Sequence, residues 1–319
     1  MKKILIMFFL TIQVLFANDN DIILEKSNLI LQSFKNNDIN KMAEYFSQNE
    51  VNIFGEIWVS INDFKNIMTT LRGDKEFNFN NTAIYSFQDC INDTSIQKYA
   101  KKVYRVFDSN SLLSITECNR FSSGKYVDTY IGLVFQSEDD KWIAKSIFGM
   151  DVSLFNQSKE MYIDNPEWTM IELKKHKITF PLLTSYQQQT YDNHDQIDFI
   201  LPGSTVRDAV LNINFSQIDL STTPSHISNP LYFYSNNVFQ MLTKDYKIQN
   251  KIERFFPNGF LFEYELYDEG KEKNKGITLI IKDPNSVNVV LIQFFAYYDV
   301  YQKYWKEIDT TLRNIKFIN

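Results

Sequence analysis

The chain has 319 residues with 33 basic and 39 acidic side chains, which gives a net charge of −6. An acidic surface argues against partners that are nucleic acids or anionic membranes. The 27 phenylalanines and 18 tyrosines supply large apolar surfaces for a folded core, which excludes a disordered chain. The length exceeds what one hydrophobic core usually holds, and therefore predicts two domains.

The first residues have the pattern of a cleavable export signal. Lys2 and Lys3 precede an apolar run of 13 residues from Ile4 to Phe16, and the small residue Ala17 follows. The run is shorter than the roughly 20 residues of a spanning helix. We therefore expect residues 1–17 to be a signal peptide that directs a bacterial protein to the periplasm, with no membrane span after it. An uncleaved N-terminal anchor is the alternative. Loss of both lysines would take the net charge from −6 to −8.

A polar segment without periodicity separates the two predicted domains. Residues 156–166 contain several amides and charges and end in Asn165-Pro166, a pair that disfavours helix. We predict a first domain at 18–155, a linker at 156–166 and a second domain at 167–319.

In the first domain, apolar residues at helical spacing are followed by segments in which apolar and polar residues alternate. Helices are predicted from about Asp21 to Lys35, after a cap at Asp38, and after a cap at Ser60. Period-two segments then predict four strands: Tyr104 to Phe107, Leu112 to Phe121, Tyr126 to Phe135 and Trp142 to Phe148. Helices followed by an antiparallel meander form an α+β domain.

The segments ILQSFKNNDINKMAEYFS and DDKWIAKSIF, with the elements between them, resemble the SnoaL-like cone fold related to nuclear transport factor two. The resemblance covers about residues 20–150. It implies a curved antiparallel sheet that wraps the N-terminal helices and leaves an apolar pocket. We expect the apolar face of one strand to line that pocket, with Val127, Ile131, Leu133 and Phe135. Members of this superfamily include isomerases, cyclases, dehydratases and many non-enzymatic binders.

Polar strand residues are weaker site candidates. Enzymes of this superfamily pair a carboxylate or histidine base with a hydrogen-bond donor, and Asp128 with Tyr130 is the nearest such pair. Both alternate with the apolar face, so they point to solvent if that face lines the pocket. Arg105, Glu117 and Arg120 are further polar strand residues, and a cross-strand charge pair at the surface explains their presence.

The second domain has three strongly patterned strands and a C-terminal helix. The strands are predicted around Phe260 to Leu266, Ile277 to Ile281 and Val287 to Ala296, after a helix capped by Ser235. The final helix places Tyr301, Trp305, Ile308, Leu312 and Ile315 on one stripe. The segments KITFPL, GFLFEYELYD, KGITLIIKD and VNVVLIQFFAYYDVYQKYWKEIDTTLRNIKF resemble PsbP-like and DcrB-type periplasmic domains. The resemblance implies an α+β sandwich with the C-terminal helix on an antiparallel sheet, and an accessory or binding role.

Cys90 and Cys118 are the two cysteines, and an exported protein meets an oxidising compartment. We expect a disulfide between them, with two free buried thiols as the alternative. Asp192, His194, Asp195 and Asp198 crowd one segment, but their spacing fits neither a calcium loop nor a zinc helix motif. We interpret that segment as a solvated loop and expect no metal and no cofactor.

These features favour an exported, non-enzymatic binding or accessory protein of the periplasm. Its partner would be a small hydrophobic ligand in the apolar pocket or an envelope protein. A cone-fold enzyme, a proton-transfer isomerase or hydratase/dehydratase acting on a small hydrophobic substrate, is one alternative. A structural partner of an envelope complex is another, and the oligomeric state stays open.

Overall fold

The computed structural model describes residues 18–55, 57–73, 75–122, 125–149, 167–190, 196–201, 209–267 and 274–318. The chain divides into two compact units, Met1–Leu154 and Phe155–Asn319. Each unit combines helices with antiparallel sheet, which confirms the predicted α+β class. The predicted signal peptide and linker lie outside the described residues.

The first unit is built on a single sheet. Its described helices are α1 (Asp19–Lys35), α2 (Ile39–Ala43), α3 (Ile61–Arg72), α4 (Phe87–Asn92) and α5 (Thr94–Lys102). Its described strands are β1 (Glu50–Ile53), β2 (Ile57–Ser60), β3 (Phe77–Ser86), β4 (Ser111–Ser122), β5 (Lys125–Glu138) and β6 (Lys141–Phe148). The strand order is β2-β1-β6-β5-β4-β3, and neighbours are antiparallel except for the parallel β1–β6 pair.

The local signals for helix starts in this unit are confirmed. The Asp38 side chain accepts a hydrogen bond from the Lys41 backbone N–H at the start of α2. The Ser60 hydroxyl accepts one from the Asp63 N–H at the start of α3. Both caps satisfy N–H groups that a helix leaves without an internal partner.

Helix α1 packs on one face of the sheet, which we call the inner face. Phe34 of α1 contacts Phe77 of β3 with ring centroids 5.2 Å apart, and the Ser27 hydroxyl donates to Ser114 of β4 at 2.8 Å. Ile23 and Ile30 of α1 are also buried. The inner face therefore carries the main hydrophobic core of this unit.

The opposite face, which we call the outer face, is covered over only part of its area by residues 87–108. Gln136 of β5 donates to the Val106 carbonyl at 2.9 Å, and Phe107 contacts Phe87 with ring centroids 5.9 Å apart. The strand predicted at Tyr104 to Phe107 is wrong, because these residues form turns after α5. Four apolar-rich residues are too short a run to distinguish a strand from a buried turn.

A capping box links β3 to α4, and it provides a direct stability test. The Ser86 hydroxyl accepts from the Asp89 N–H, while the Asp89 carboxylate accepts from the Ser86 N–H at 2.7 Å. We expect Ser86→Ala to lower the free energy of unfolding by about 1 kcal/mol, because the Asp89 N–H loses its side-chain acceptor. Urea unfolding of the full chain measures this. Asn49→Ala, at an exposed loop position, is the control and is expected to change stability by less than about 0.5 kcal/mol.

The second unit contains two sheets and two described α-helices, α6 (Pro230–Thr243) and α7 (Tyr298–Arg313). Its described strands are β7 (Trp168–Leu173), β8 (Ile178–Leu183), β9 (Gln187–Thr190), β10 (Gln196–Ile200), β11 (Ala209–Gln217), β12 (Lys247–Phe256), β13 (Gly259–Tyr267), β14 (Asn274–Lys282), β15 (Asn288–Tyr297) and β16 (Lys316–Phe317). The larger sheet has the order β12-β13-β14-β15-β11-β10-β9, and the smaller one β16-β8-β7.

The two helices lie on opposite faces of the larger sheet. Phe239 of α6 stacks on Phe262 of β13 at 4.9 Å. Tyr301 of α7 contacts Phe294 of β15, with ring centroids 6.1 Å apart. Phe294 is in register with Glu263, which follows Phe262 in β13 and therefore points to the opposite face of the sheet. This arrangement is the predicted sandwich with the C-terminal helix on an antiparallel sheet.

Two local predictions in this unit are wrong. Asn229, not Ser235, caps α6, since its side chain accepts from the Tyr232 N–H at 3.0 Å and Pro230 occupies the first helical turn. Ser235 is fully buried inside the helix. Trp305 of α7 is 43% exposed instead of joining the buried stripe that contains Ile308.

Candidate functional site

A cleft of about 590 Å³ lies on the outer face of the first unit, beside α5. Its lining combines three tyrosines, amides and two carboxylates: Asn80, Asn81, Ala83, Tyr85, Tyr99, Ile115, Glu117, Cys118, Asn119, Asp128, Thr129 and Tyr130. Small-molecule sites are concave surfaces of this size, in which a few polar groups fix orientation. This cleft is therefore the candidate functional site.

A β-bulge places two asparagines at the cleft. The β3–β4 register moves from Phe79↔Cys118 to Thr82↔Thr116, so Asn80 and Asn81 stand opposite Glu117 alone. The extra residue interrupts strand alternation and changes the direction of local side chains. Two consecutive amides within an otherwise alternating strand were the sequence signal for this feature.

Three polar side chains form a hydrogen-bonded row across three neighbouring strands, which we call the polar ladder. The Asn80 amide of β3 donates to the Asn119 Oδ1 of β4 at 3.0 Å. The Asn119 amide donates to the Asp128 Oδ1 of β5 at 2.5 Å. Because each member is held by its neighbour, less side-chain freedom is lost when a ligand binds. The ladder is thus preorganised for hydrogen bonding.

Three tyrosines also line the cleft. Tyr99 of α5 meets Tyr130 of β5 edge to face, with ring centroids 4.7 Å apart. Lys102 donates to the Tyr130 hydroxyl at 2.5 Å, which leaves the phenol proton available to another acceptor. Burial raises the pKa of the third tyrosine, Tyr85, and the neighbouring Tyr99 and Asp93 add to the effect. Tyr85 is therefore a neutral hydrogen-bonding group near neutral pH.

The predicted apolar pocket residues lie on the other face of the same strand. Ile131 and Leu133 pair with Thr116 and Ser114 on the inner face, and both are 1% exposed. Phe135 is fully buried. None of the three lines the cleft described above, and the side chain of Val127 lies outside the described residues. That these four line an apolar pocket stays a prediction.

Some of the polar residues that the sequence analysis named as site candidates line the cleft, and others do not. Asp128 and Tyr130 both line the cleft, Asp128 as an exposed carboxylate and Tyr130 as a half-buried ring, and they lie on the face of β5 opposite to Ile131 and Leu133. Glu117 lines it as well and pairs in register with Tyr130. Arg105 stacks on Tyr104, and Arg120 lies on the inner-face side of β4, so neither joins the lining. The charge pair expected among Arg105, Glu117 and Arg120 stays a prediction.

The predicted disulfide is wrong, because Cys90 and Cys118 are free, buried thiols. Ser86, at the end of β3, pairs with Leu112 of β4, and Cys90 follows four residues later in α4. Cys118 lies six residues beyond Leu112 along the strand, roughly 20 Å away at about 3.4 Å per residue. Bonded cysteines need Cα atoms within about 7 Å, so the strand geometry keeps the two apart.

Burial raises the pKa of Cys90 to about 12 and that of Cys118 to about 11. We expect iodoacetamide at pH 8 to modify the folded protein at least about 100-fold more slowly than the urea-unfolded protein, because so little thiolate forms. The folded state also favours the neutral thiols more strongly than the unfolded state does. The contribution of these groups to the free energy of unfolding is therefore at its full value below about pH 9, and it declines as the pH rises towards 11 to 12. Mass spectrometry without reductant should find two alkylations after unfolding. None after unfolding would mean a disulfide.

The predicted loop with Asp192, His194 and Asp195 lies outside the described residues. Asp198, the fourth residue of that set, belongs to β10 and is 3% exposed, where it accepts a hydrogen bond from the Asn212 amide. Among the described residues, no three His, Cys, Asp or Glu side chains come together as a metal site would need. Across the same residues, no helix is both long and apolar enough to cross a bilayer.

A second cleft, of about 500 Å³, lies in the second unit beside the end of β11. His176 stacks flat on Phe215 there, with ring centroids 3.4 Å apart, and Lys175 adds a positive charge. The rest of the lining comes from strand ends: Ser216, Gln217, Asn288, Val289 and Val290. It contains no tyrosine and no carboxylate, unlike the lining of the first cleft.

Comparisons with known proteins found similar solved structures but no match by sequence. No family model matches the chain, and no curated protein does. Similar solved structures include a PsbP from Synechocystis (9% identity, 47% of this chain and 92% of that one, TM-score 0.35). They also include the Ran-binding protein Mog1p of Saccharomyces cerevisiae (8%, 48% and 96%, TM-score 0.34) and an NTF2-like protein of unknown function from Pseudomonas putida (7%, 43% and 90%, TM-score 0.30).

Both kinds of fold that the sequence resembles are thus among the similar structures, at low identity. Because all three TM-scores are below 0.5, these likenesses support no inference about function.

Proposed function

We propose that this protein is an exported, non-enzymatic binding protein of the bacterial periplasm that holds a small ligand in the cleft of its first unit. The observation that carries the proposal is the polar ladder, which lines a 590 Å³ cleft together with three tyrosines. The N-terminal lysines and the apolar run after them support export.

The chemistry of the cleft favours a ligand that is more polar than the sequence suggested. Asn81, Asn119, Glu117 and Asp128 offer hydrogen-bonding groups, while Tyr99 offers an aromatic edge and face. A purely hydrophobic ligand would remove water from these groups without replacing its hydrogen bonds, which is costly. A ligand that combines an apolar surface with several polar atoms fits the lining better.

A tryptophan at the mouth of the cleft tests this proposal. Asn81 is exposed and lines the cleft, so Asn81→Trp should fill the space without disturbing the inner-face core. The purified protein is equilibrated with a periplasmic extract, and the retained small molecules are identified by mass spectrometry. We expect the unmodified protein to retain a compound that Asn81→Trp loses at least tenfold.

Asn28→Trp, on the exposed side of α1, is the matched control and should retain the compound fully. Equal retention by both variants would contradict binding in the cleft. Absence of any retained compound from the unmodified protein would contradict the proposal as well.

A proton-transfer enzyme of the cone-fold type is the second candidate. One observation favours it, since Asp128 and the Tyr130 hydroxyl line the same cleft as a carboxylate and a donor. Chemical conversion of the retained compound by the unmodified protein, abolished in Asp128→Asn, would establish this alternative. An unchanged compound after prolonged incubation would support binding alone.

A further inference from the structure

We propose that the ligand of this cleft is a saccharide, a neutral ring that carries several hydroxyl groups; this inference rests on the proposed function. A sugar ring presents two kinds of surface, hydroxyl groups around its edge and C–H groups on its faces. The cleft contains polar side chains that can bond the hydroxyl groups and aromatic rings that can contact the C–H groups. The charges around it favour a neutral ligand.

The polar ladder is suited to the hydroxyl groups. A hydroxyl donates one hydrogen bond and accepts others, so its best partners are carboxylates and carboxamides, which together supply both roles. Asp128 uses only one of its oxygens to accept from Asn119, and the Asn80 amide oxygen accepts no bond within the ladder. Glu117, beside the bulge, adds a second carboxylate. These planar groups recur from strand to strand, at a separation of about 4.8 Å.

The tyrosines are suited to the ring faces. Tyr99 and Tyr130 are half-buried, and their edge-to-face contact at 4.7 Å holds both rings in place. Phe148 supports Tyr130 from the next strand, with ring centroids 6.1 Å apart. Rigid aromatic rings beside a polar ladder fit a ring whose faces are apolar and whose edge is polar.

The charges around the cleft favour a neutral ligand over an ion. Glu117 and Asp128 are both exposed at the strand side. On the α5 side, the Lys102 ammonium is bonded to the Tyr130 hydroxyl, and the Lys98 ammonium lies 4.8 Å from the Tyr99 ring centroid. The cleft and its surroundings thus contain two carboxylates and two ammonium groups, whose charges balance. A charged ligand would gain little overall, because its attraction to one pair of groups is offset by repulsion from the other pair.

Titration calorimetry with a defined set of probes tests the inference. The saccharide probes are glucose, galactose, N-acetylglucosamine, cellobiose and chitobiose. Spermidine and tetramethylammonium represent cations, and decanoate represents an apolar anion. We expect at least one saccharide to bind with a Kd below about 10 mM, and Asn119→Ala to weaken that binding about tenfold because the centre of the ladder is removed. Asn28→Ala, at an exposed position of α1, should leave the Kd unchanged.

The outcomes separate this inference from the function on which it rests. Binding of a cation or of decanoate without any saccharide would overturn the saccharide assignment. If Asn119→Ala weakened that binding, the cleft would still be the binding site. Saccharide binding that Asn119→Ala leaves unchanged would overturn the saccharide assignment of the cleft, since the sugar would then bind elsewhere. Absence of binding by every saccharide probe would overturn the saccharide assignment, and the extract experiment with Asn81→Trp would still decide the proposed function by itself.

Discussion

Phe135→Ala is expected to lower the free energy of unfolding by about 3–5 kcal/mol, the usual cost of truncating a buried phenylalanine. Phe135 is fully buried and pairs with Leu112 on the inner side of the sheet, close to the contacts of α1. Truncation would remove most of a ring from a closely packed core and leave a cavity that the surrounding sheet cannot fill. Urea unfolding of the full chain measures the loss.

Phe121→Ala is the control for that experiment. Phe121 is also a strand phenylalanine of the same sheet, but it is 41% exposed, so we expect a loss of less than about 1.5 kcal/mol. If Phe135→Ala changed stability by less than about 1 kcal/mol and altered ligand binding, Phe135 would line a pocket, as the sequence suggested. The ligand would then bind at the inner face of β5, and the outer face would be an ordinary solvated surface.

Asp128→Ala should produce the opposite result, with weaker ligand binding and little change in stability. We expect the Kd to rise about 10- to 100-fold, because a hydrogen bond to a charged group contributes about 1.5–3 kcal/mol. The free energy of unfolding should change by less than about 0.5 kcal/mol, since Asp128 is exposed. Titration calorimetry and urea unfolding of the same sample measure both quantities.

Glu25→Ala, which removes an exposed carboxylate from α1, is the control and should change neither quantity. A large loss of stability in Asp128→Ala would mean that the polar ladder maintains the sheet instead of serving a ligand. Normal stability with an unchanged Kd would place the ligand away from Asp128. Together with Phe135→Ala, this variant tests the two faces of one strand independently.

The amino-acid sequence predicts the local elements of this protein better than it predicts the site. The caps at Asp38 and Ser60 and the alternation of β5 are short-range patterns, so they could be recognised without knowledge of the fold. Ser235 misled the prediction of α6 because Asn229 and Pro230 give a competing start signal six residues earlier. Neighbouring signals of similar strength are decided by packing.

The location of the cleft could not be predicted in the same way. Alternation along β5 separates Ile131 and Leu133 from Asp128 and Tyr130, but it does not say what covers each face. That is decided by residues 87–108, whose short helices pack on the outer face and leave part of it open. The separation of Cys90 from Cys118 is similarly a long-range property, set by the β3–β4 register.

Hydrogen–deuterium exchange with and without the compound retained from the extract tests the central claim, that the outer face of the first unit binds the ligand. We predict added protection in peptides that cover the β3 bulge at Asn80 and Asn81, the ladder residues of β4 and β5, and α5. Protection confined to the inner face or to the second unit, with those peptides unchanged, would contradict it.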